Sequence, residues 1–515
     1  MKACLTPGLE LYYHHIKERA SLLRKDMDML TYTTPELAGL DPKYIRRFLA
    51  DMKRDRIDLH DVLLLRGDQI FFEKYWAPFT PEFPHRMYSV TKSFVAVAIG
   101  FLVQEGKLTL DDPIIQFFPD KIGPEMDPLL QMQTIRDMLM MSTFSGGSNW
   151  FKPEVTDRLR FYFSLKADKV PGTIFSYDST GSYVLGCLVE RLSGMSLLDY
   201  LKAKVLDRIG GFEDAQILAT MDGTPWADSA LVCRPRALAA FARFVMNGGA
   251  WEGEQLLDPA YVKTATSCLI ENNVKDTRNY NTWGYGYQIW MTEQGAWSFN
   301  GMGAQFAICC PDKDLIFVCN GDDQLTSEVD SPRIFRAFFD QIYAHMDGAD
   351  PEPEEVDPGE EFPLLVTRGA SASPFAEKID GRTYQCMDNP MGWKWFRLEF
   401  EDDGGALVYE NAQGEKRIPF GLGRNHFDLF PEYGYSDAQG NRHEMTSFRY
   451  KAAFSAAWVE EQKLRLRVQV IDRYFGMLVI TIGFRDPEWV SIRMEKSAED
   501  FFDTYEGWLI GRCED

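Results

Sequence analysis

Residues 347–362 read Asp-Gly-Ala-Asp-Pro-Glu-Pro-Glu-Glu-Val-Asp-Pro-Gly-Glu-Glu-Phe, and no packed element accommodates them. Proline removes a backbone donor and like charges repel, so the segment reads as an extended acidic linker. The 515-residue chain must then fold as two units of different texture, one on each side of it. The expected organisation is an N-terminal helical extension (1–30), a larger unit (31–346), the linker (347–362) and a C-terminal β-rich unit (363–515).

In the larger unit, the apolar runs Asp61–Arg66 and Gln69–Tyr75 flank Gly67-Asp68, a hairpin signal. A long helix-and-loop stretch follows to about Asn247. Strand-like runs return at 284–291, 306–310 and 315–320, and 335–344 reads as a closing helix. Strands early and late with helices between them predict an α+β fold, an antiparallel sheet flanked by helices with a helical subdomain. The C-terminal unit alternates with period two at 393–400 and 463–470. Glycines at 404, 405, 414, 434 and 440 punctuate the stretch between. That spacing predicts an all-β, barrel-like or sandwich domain of about eight strands.

Charge excludes several roles. The formal net charge is −22 and the pI is near 4.9, so phosphate backbones and anionic lipid are repelled. Neither a nucleic-acid nor a membrane partner is expected. No signal-peptide core stands in the first 30 residues, and no apolar run approaches the roughly 18 residues of a membrane span, so a cytoplasmic location is expected. Nine cysteines lack Cys-x-x-Cys spacing, and the seven histidines do not cluster beyond His14-His15. Neither metal nor cofactor is indicated.

The chemistry-bearing feature is Ser89-Val90-Thr91-Lys92, which opens the apolar helical run 93–103. Residues three apart share a helix face, so the Lys92 amine can reach back to the Ser89 hydroxyl. A serine becomes a nucleophile when a base sits within hydrogen-bond reach. Apolar neighbours disfavour the charged amine, and the helix N-terminus adds partial positive charge beside an oxyanion at Ser89. A Ser-x-x-Lys match arises about once by chance in a chain this long, so the surrounding pattern has to carry the assignment.

That pattern resembles the serine β-lactamase and penicillin-binding protein family, in its class C-like branch of esterases, amidases and D-amino-acid peptidases. The resemblance spans about Pro35 to Tyr343. It rests on Tyr88–Ser93, on Gly106–Pro113, on Ile135–Leu139 through Ser145-Gly146, and on Pro171–Ser179 continuing into Gly181–Gly186. The resemblance implies an acyl-enzyme on Ser89, with Lys92 activating the hydroxyl and Tyr177, of a Tyr-x-Asn-like motif, shuttling the proton. It implies a third motif at Phe299-Asn300-Gly301, where Gly301 admits substrate and the Met302 N–H joins that of Ser89 as an oxyanion hole. Register there is open by two residues, because Gly301-Met302-Gly303 offers two glycines.

Two departures from the family pattern bear on substrate. Ser179 stands where asparagine is usual, and Phe299 stands where lysine or histidine would meet a carboxylate. The expected substrate is therefore a small-molecule ester, amide or peptide less acidic than a β-lactam. A non-hydrolytic binder or sensor on the same fold, and a true β-lactamase or DD-peptidase, are the alternatives. Trp150, Phe151, Trp283, Tyr285, Tyr287 and Trp297 are candidates to line an apolar pocket. The start Gly381–Tyr384 is similar to lipocalin-like domains of related D-aminopeptidases. Such a domain could gate the cleft, bind a ligand or mediate dimerisation, which leaves homo-oligomerisation open.

Overall fold

The structure, a computed structural model, describes residues 30–147, 155, 157–220, 223–273, 279–323, 327–348, 361–432, 449–472, 475–497 and 505–513. The expected N-terminal helical extension, most of the linker, and Trp150 and Phe151 lie outside the described residues.

The first sheet is built from β1 (Leu59–Arg66), β2 (Gln69–Tyr75), β3 (Trp297–Gly301), β4 (Gln305–Cys310) and β5 (Leu315–Gly321), in the order β2-β1-β5-β4-β3. Two-residue strands flank it at Thr31–Tyr32 and Trp290–Met291. All pairings among β1 to β5 are antiparallel, and β1 turns into β2 through Gly67, whose φ of 59° suits the predicted hairpin. Both faces are covered, so β1, β4 and β5 are buried along almost their whole length rather than alternating. Val62, Leu64, Phe306, Ile308 and Phe317 face one helical layer, while Leu63, Leu65, Ala307, Cys309 and Ile316 face the other.

The first layer includes helix α1 (Pro42–Asp55), which begins where the Asp41 carboxylate accepts from Lys43 N at 2.8 Å. It ends at Arg56, in the left-handed region. Its buried residues, Tyr44, Ile45, Phe48, Leu49 and Met52, lie on one face at helical spacing. The second layer holds α2 (Thr91–Gln104), α3 (Arg158–Ser164), α4 (Ser179–Ser193) and α5 (Pro235–Met246). Helix α2 is buried on every side, and Phe94 stacks on Phe241 of α5 at 3.6 Å between centroids. Gly100 is the point of closest packing: a Cβ there would stand 2.5 Å from the Tyr261 ring.

The C-terminal unit forms β6 (Thr383–Cys386), β7 (Trp395–Glu401), β8 (Gly404–Asn411), β9 (Gly414–Leu422), β10 (Lys451–Glu460), β11 (Lys463–Ile471), β12 (Phe475–Phe484), β13 (Trp489–Ser497) and β14 (Gly507–Arg512). Antiparallel pairing runs β9-β8-β7-β6-β14-β13-β12-β11-β10. A short parallel contact, Gly421 with Ser455 and Leu422 with Ala456, closes the ring. The result is a closed nine-stranded barrel, with His426–Leu429 added beside β10. Nine strands stand where about eight were expected, because the closing pair is not a hairpin and leaves no turn signature. The period-two reading of 463–470 matches β11: Leu464, Leu466, Val468 and Val470 point into the core.

The barrel core is continuous with Leu218, Trp226, Ala230 and Val232 of the first unit. A polar contact also crosses between the units. Gln469 Nε2 donates to Asp322 Oδ2 at 2.9 Å and to Asp58 Oδ2 at 3.4 Å, beside Arg467. Burial pushes Asp58 up to about 6 and Asp322 up to about 7, against the pull of Gln469 and Arg467. The folded state therefore holds these protons more tightly than the unfolded chain. The resulting cost is absent below about pH 4, grows as pH rises, and is complete above about pH 7. Asp322→Asn keeps an acceptor for Gln469 without the charge. It is expected to raise stability at pH 8 and not at pH 4, the gain growing by at most about 1.4 kcal/mol per pH unit between, read from denaturant midpoints across that range.

Candidate active site

Ser89 sits at a bend with unusual backbone geometry. His85–Arg86 pairs with Leu231–Cys233, and Met87 N donates to Leu231 O at 2.7 Å, which fixes the chain up to residue 87. Tyr88 then takes φ +46°, a region costly for a non-glycine residue. Its ring is held under the Arg86 guanidinium at 4.4 Å, and its carbonyl accepts from Thr91 Oγ1 at 2.6 Å. A single 3-10 turn, Tyr88–Val90, leads into α2, so Ser89 stands just ahead of the helix N-terminus.

One turn on, Lys92 is 1% exposed. Its Nζ donates to Ser89 Oγ at 2.9 Å and to the Asp228 carbonyl at 2.7 Å. The same nitrogen lies 3.9 Å from Asp228 Oδ2 and 5.1 Å from the centroid of the Tyr177 ring. Tyr177 precedes α4, whose N-cap Asp178 accepts from Gly181 N at 3.1 Å and from Thr143 Oγ1 at 2.8 Å. The Tyr177 ring stacks on Trp290 at 5.4 Å. Ser89 and Tyr177 border one cavity of about 180 Å³.

The opposite wall is the end of β3. Gly301 and Met302 line the cavity, and Met302 is 43% exposed. A Cβ at Gly301 would meet the Met87 carbonyl oxygen at 2.3 Å, so the missing side chain serves the close approach of strand and Ser89 turn. Phe299 is fully buried and packs against Trp297 of its own strand and against Phe241 of α5 in the layer below the sheet. Strand alternation turns the Phe299 ring inward and gives the cavity to Asn300. Neither amide atom of Asn300 has a hydrogen-bond partner in the described protein.

The structure thus brings Ser89, Lys92, Tyr177, Gly301 and Met302 together. Ser179 is buried in the first turn of α4 and does not border the cavity. Of the aromatic candidates, Tyr285, Tyr287 and Trp297 are buried in packing, and Trp283 is partly exposed elsewhere. Tyr280, Trp290 and Phe306 line the cavity instead.

Asp228 carried no signal in the sequence. It is 1% exposed, and burial pushes its carboxyl up to about 6 against the opposing pull of Lys92, Arg158 and Arg86. Among the described residues, no three His, Cys, Asp or Glu side chains are grouped to hold a metal, and no helix is long and apolar enough to cross a membrane.

The family model described as Beta-lactamase matches residues 59–332, just over half of the chain. A 6-aminohexanoate-dimer hydrolase of Paenarthrobacter ureafaciens is 25% identical over 260 residues, covering 47% of this chain and 66% of that protein. The esterase EstB of Burkholderia gladioli is 27% identical over 181 residues, covering 30% of this chain and 45% of its own. An octameric penicillin-binding protein homologue from Pyrococcus abyssi superposes with a TM-score of 0.48 at 18% identity, covering 91% of this chain and 99% of that one. The chain spans about two thirds or less of the length of these two curated relatives.

The Gly301–Met87 approach leaves no room for a methyl group. Gly301→Ala is expected to cost on the order of 1–3 kcal/mol by chemical denaturation and to displace the Ser89 turn.

Proposed function

The chain belongs to the beta-lactamase family, and on that premise we propose that it is a serine hydrolase cleaving an ester or amide through an acyl-enzyme on Ser89. The observation that carries this reading is the 2.9 Å hydrogen bond from Lys92 Nζ to Ser89 Oγ, made at the wall of the cavity that Tyr177 also borders. In this reading Ser89 Oγ attacks the substrate carbonyl carbon while its proton passes to the Lys92 amine. The tetrahedral oxyanion lies against the backbone N–H groups of Ser89 and Met302. Tyr177 delivers a proton to the departing alcohol or amine, and the C–O or C–N bond breaks. Water, its proton taken by Tyr177, then attacks the Ser89 ester; the ester C–O bond breaks, the Ser89 oxygen leaves with the proton held by Lys92, and the acid is freed. The relatives' names, an amide-dimer hydrolase and an esterase, agree with a carbonyl substrate of either kind.

The cavity wall favours an uncharged acyl group. Among the described residues that border it there is no lysine or arginine to meet a carboxylate, and Asn300 offers a neutral amide in its place. The division into a unit at 31–346, a linker at 347–362 and a β-unit at 363–515 belongs to the same reading. It is supported by two sheets that share no strand pairing.

A fluorophosphonate probe is expected to label the wild type and not Ser89→Ala. Turnover of p-nitrophenyl esters should fall on the order of 10⁴-fold in that variant. In a side-by-side assay, esters should be cleaved faster than D-amino-acid amides and a chromogenic cephalosporin. Labelling of neither protein would instead favour a binder on this fold, and faster cephalosporin turnover would overturn the uncharged-substrate argument.

A further inference from the structure

Behind Lys92 lies a buried charge group that the hydrolytic steps above do not use. Asp228, Arg86 and Arg158 are each 2% exposed or less. Asp228 reaches Lys92 twice, by its carbonyl at 2.7 Å and by carboxylate Oδ2 at 3.9 Å. Its other oxygen, Oδ1, has no hydrogen-bond partner in the described protein. The Arg86 and Arg158 guanidiniums act on the same carboxylate, and both lie over the Trp226 ring, at 4.6 and 5.4 Å. Arg86 Nε is held by the Ser229 carbonyl at 3.0 Å, so this charge is fixed in place.

The charges around the amine can be taken element by element. Ser89, from the turn before α2, presents its hydroxyl, and Tyr177, from the loop before α4, presents its ring. Asp228, from the loop before Leu231–Cys233, presents the negative charge. Arg86, from the strand before Ser89, and Arg158, from α3, present permanent positive charges. One carboxylate thus stands against two fixed cations and, when Lys92 is protonated, a third. Without it, an ammonium at Lys92 would sit in an apolar interior facing only like charge.

We infer that Asp228 is a positioning residue for the acyl-transfer site: its carboxylate balances the Lys92 ammonium and thereby sets the pH above which Lys92 accepts the Ser89 proton. The inference rests on the reading of Lys92 as the base. With its carboxyl near 6, Asp228 is ionised through the neutral and alkaline range in which a lysine base works. The balance also accounts for the carboxylate lying at ion-pair range while the backbone carbonyl makes the shorter contact. The carbonyl aims the amine and the carboxylate governs its charge.

The test is the pH dependence of fluorophosphonate inactivation, measured from about pH 5.5 to 10 on wild type, Asp228→Asn, Asp228→Glu and Arg158→Gln. Wild type is expected to show one limb rising with pH. In Asp228→Asn the midpoint should move down by about one pH unit or more, because the ammonium has lost its opposite charge. Asp228→Glu, which keeps the charge, should stay near the wild-type midpoint. Arg158→Gln removes a repelling cation and should move the midpoint up, so the inference stays testable if Asp228→Asn does not fold. Unmoved midpoints with a uniformly lower plateau would mean a purely structural role and overturn it. Absence of inactivation in the wild type would overturn the Ser89 reading itself, a result recognisable because no variant would then show a limb.

Discussion

The site depends on how completely helix α2 is enclosed. Its residues from Thr91 to Leu102 are buried against the sheet, α4 and α5, and Gly100 lets Tyr261 come within contact of its backbone. A helix that is apolar all round cannot rotate or slide without opening a void, and close-packed interiors resist that strongly. The side chain of Lys92 is carried on that fixed rod. Its direction toward Ser89 is thus a property of core packing, not of a surface ion pair whose geometry salt and solvent would loosen.

Local features were readable from the chain, and features set by distant segments were not. Helical spacing alone placed Lys92 over Ser89, since both lie within one turn. The Gly67-Asp68 hairpin and the alternation in β11 were readable for the same reason: each pattern is complete within a few residues. The approach of Asp228 was invisible, because it comes from 136 residues away and its neighbours carry no motif. Phe299 shows a different dependence. The position was located, but which face of β3 turns to the cavity depends on the layer beneath, where Phe241 of α5 meets the ring beside Trp297 of the same strand. The left-handed Tyr88 gave no warning either, since sequence normally reserves such backbone for glycine or asparagine.

The C-terminal barrel is more than an appendage in packing terms. Its core runs into Leu218 and Trp226, and Trp226 is the ring on which Arg86 and Arg158 rest. Arg86 in turn holds Tyr88, the residue before Ser89. A continuous line of contacts therefore runs from barrel core to the Ser89 turn, through aromatic faces and guanidiniums. The linker composition suggested two independent bodies, and the contacts show bodies that share a wall.

The missing side chain at Gly301 has a mechanical consequence. With the strand backbone seated directly on the Met87 carbonyl, nothing compressible separates β3 from the Ser89 turn. A displacement of the sheet edge must therefore carry the turn with it, since close-packed backbone has no slack to absorb it. A flexible spacer at that seam would let strand end and turn drift apart; a bare backbone junction makes them a single rigid jaw.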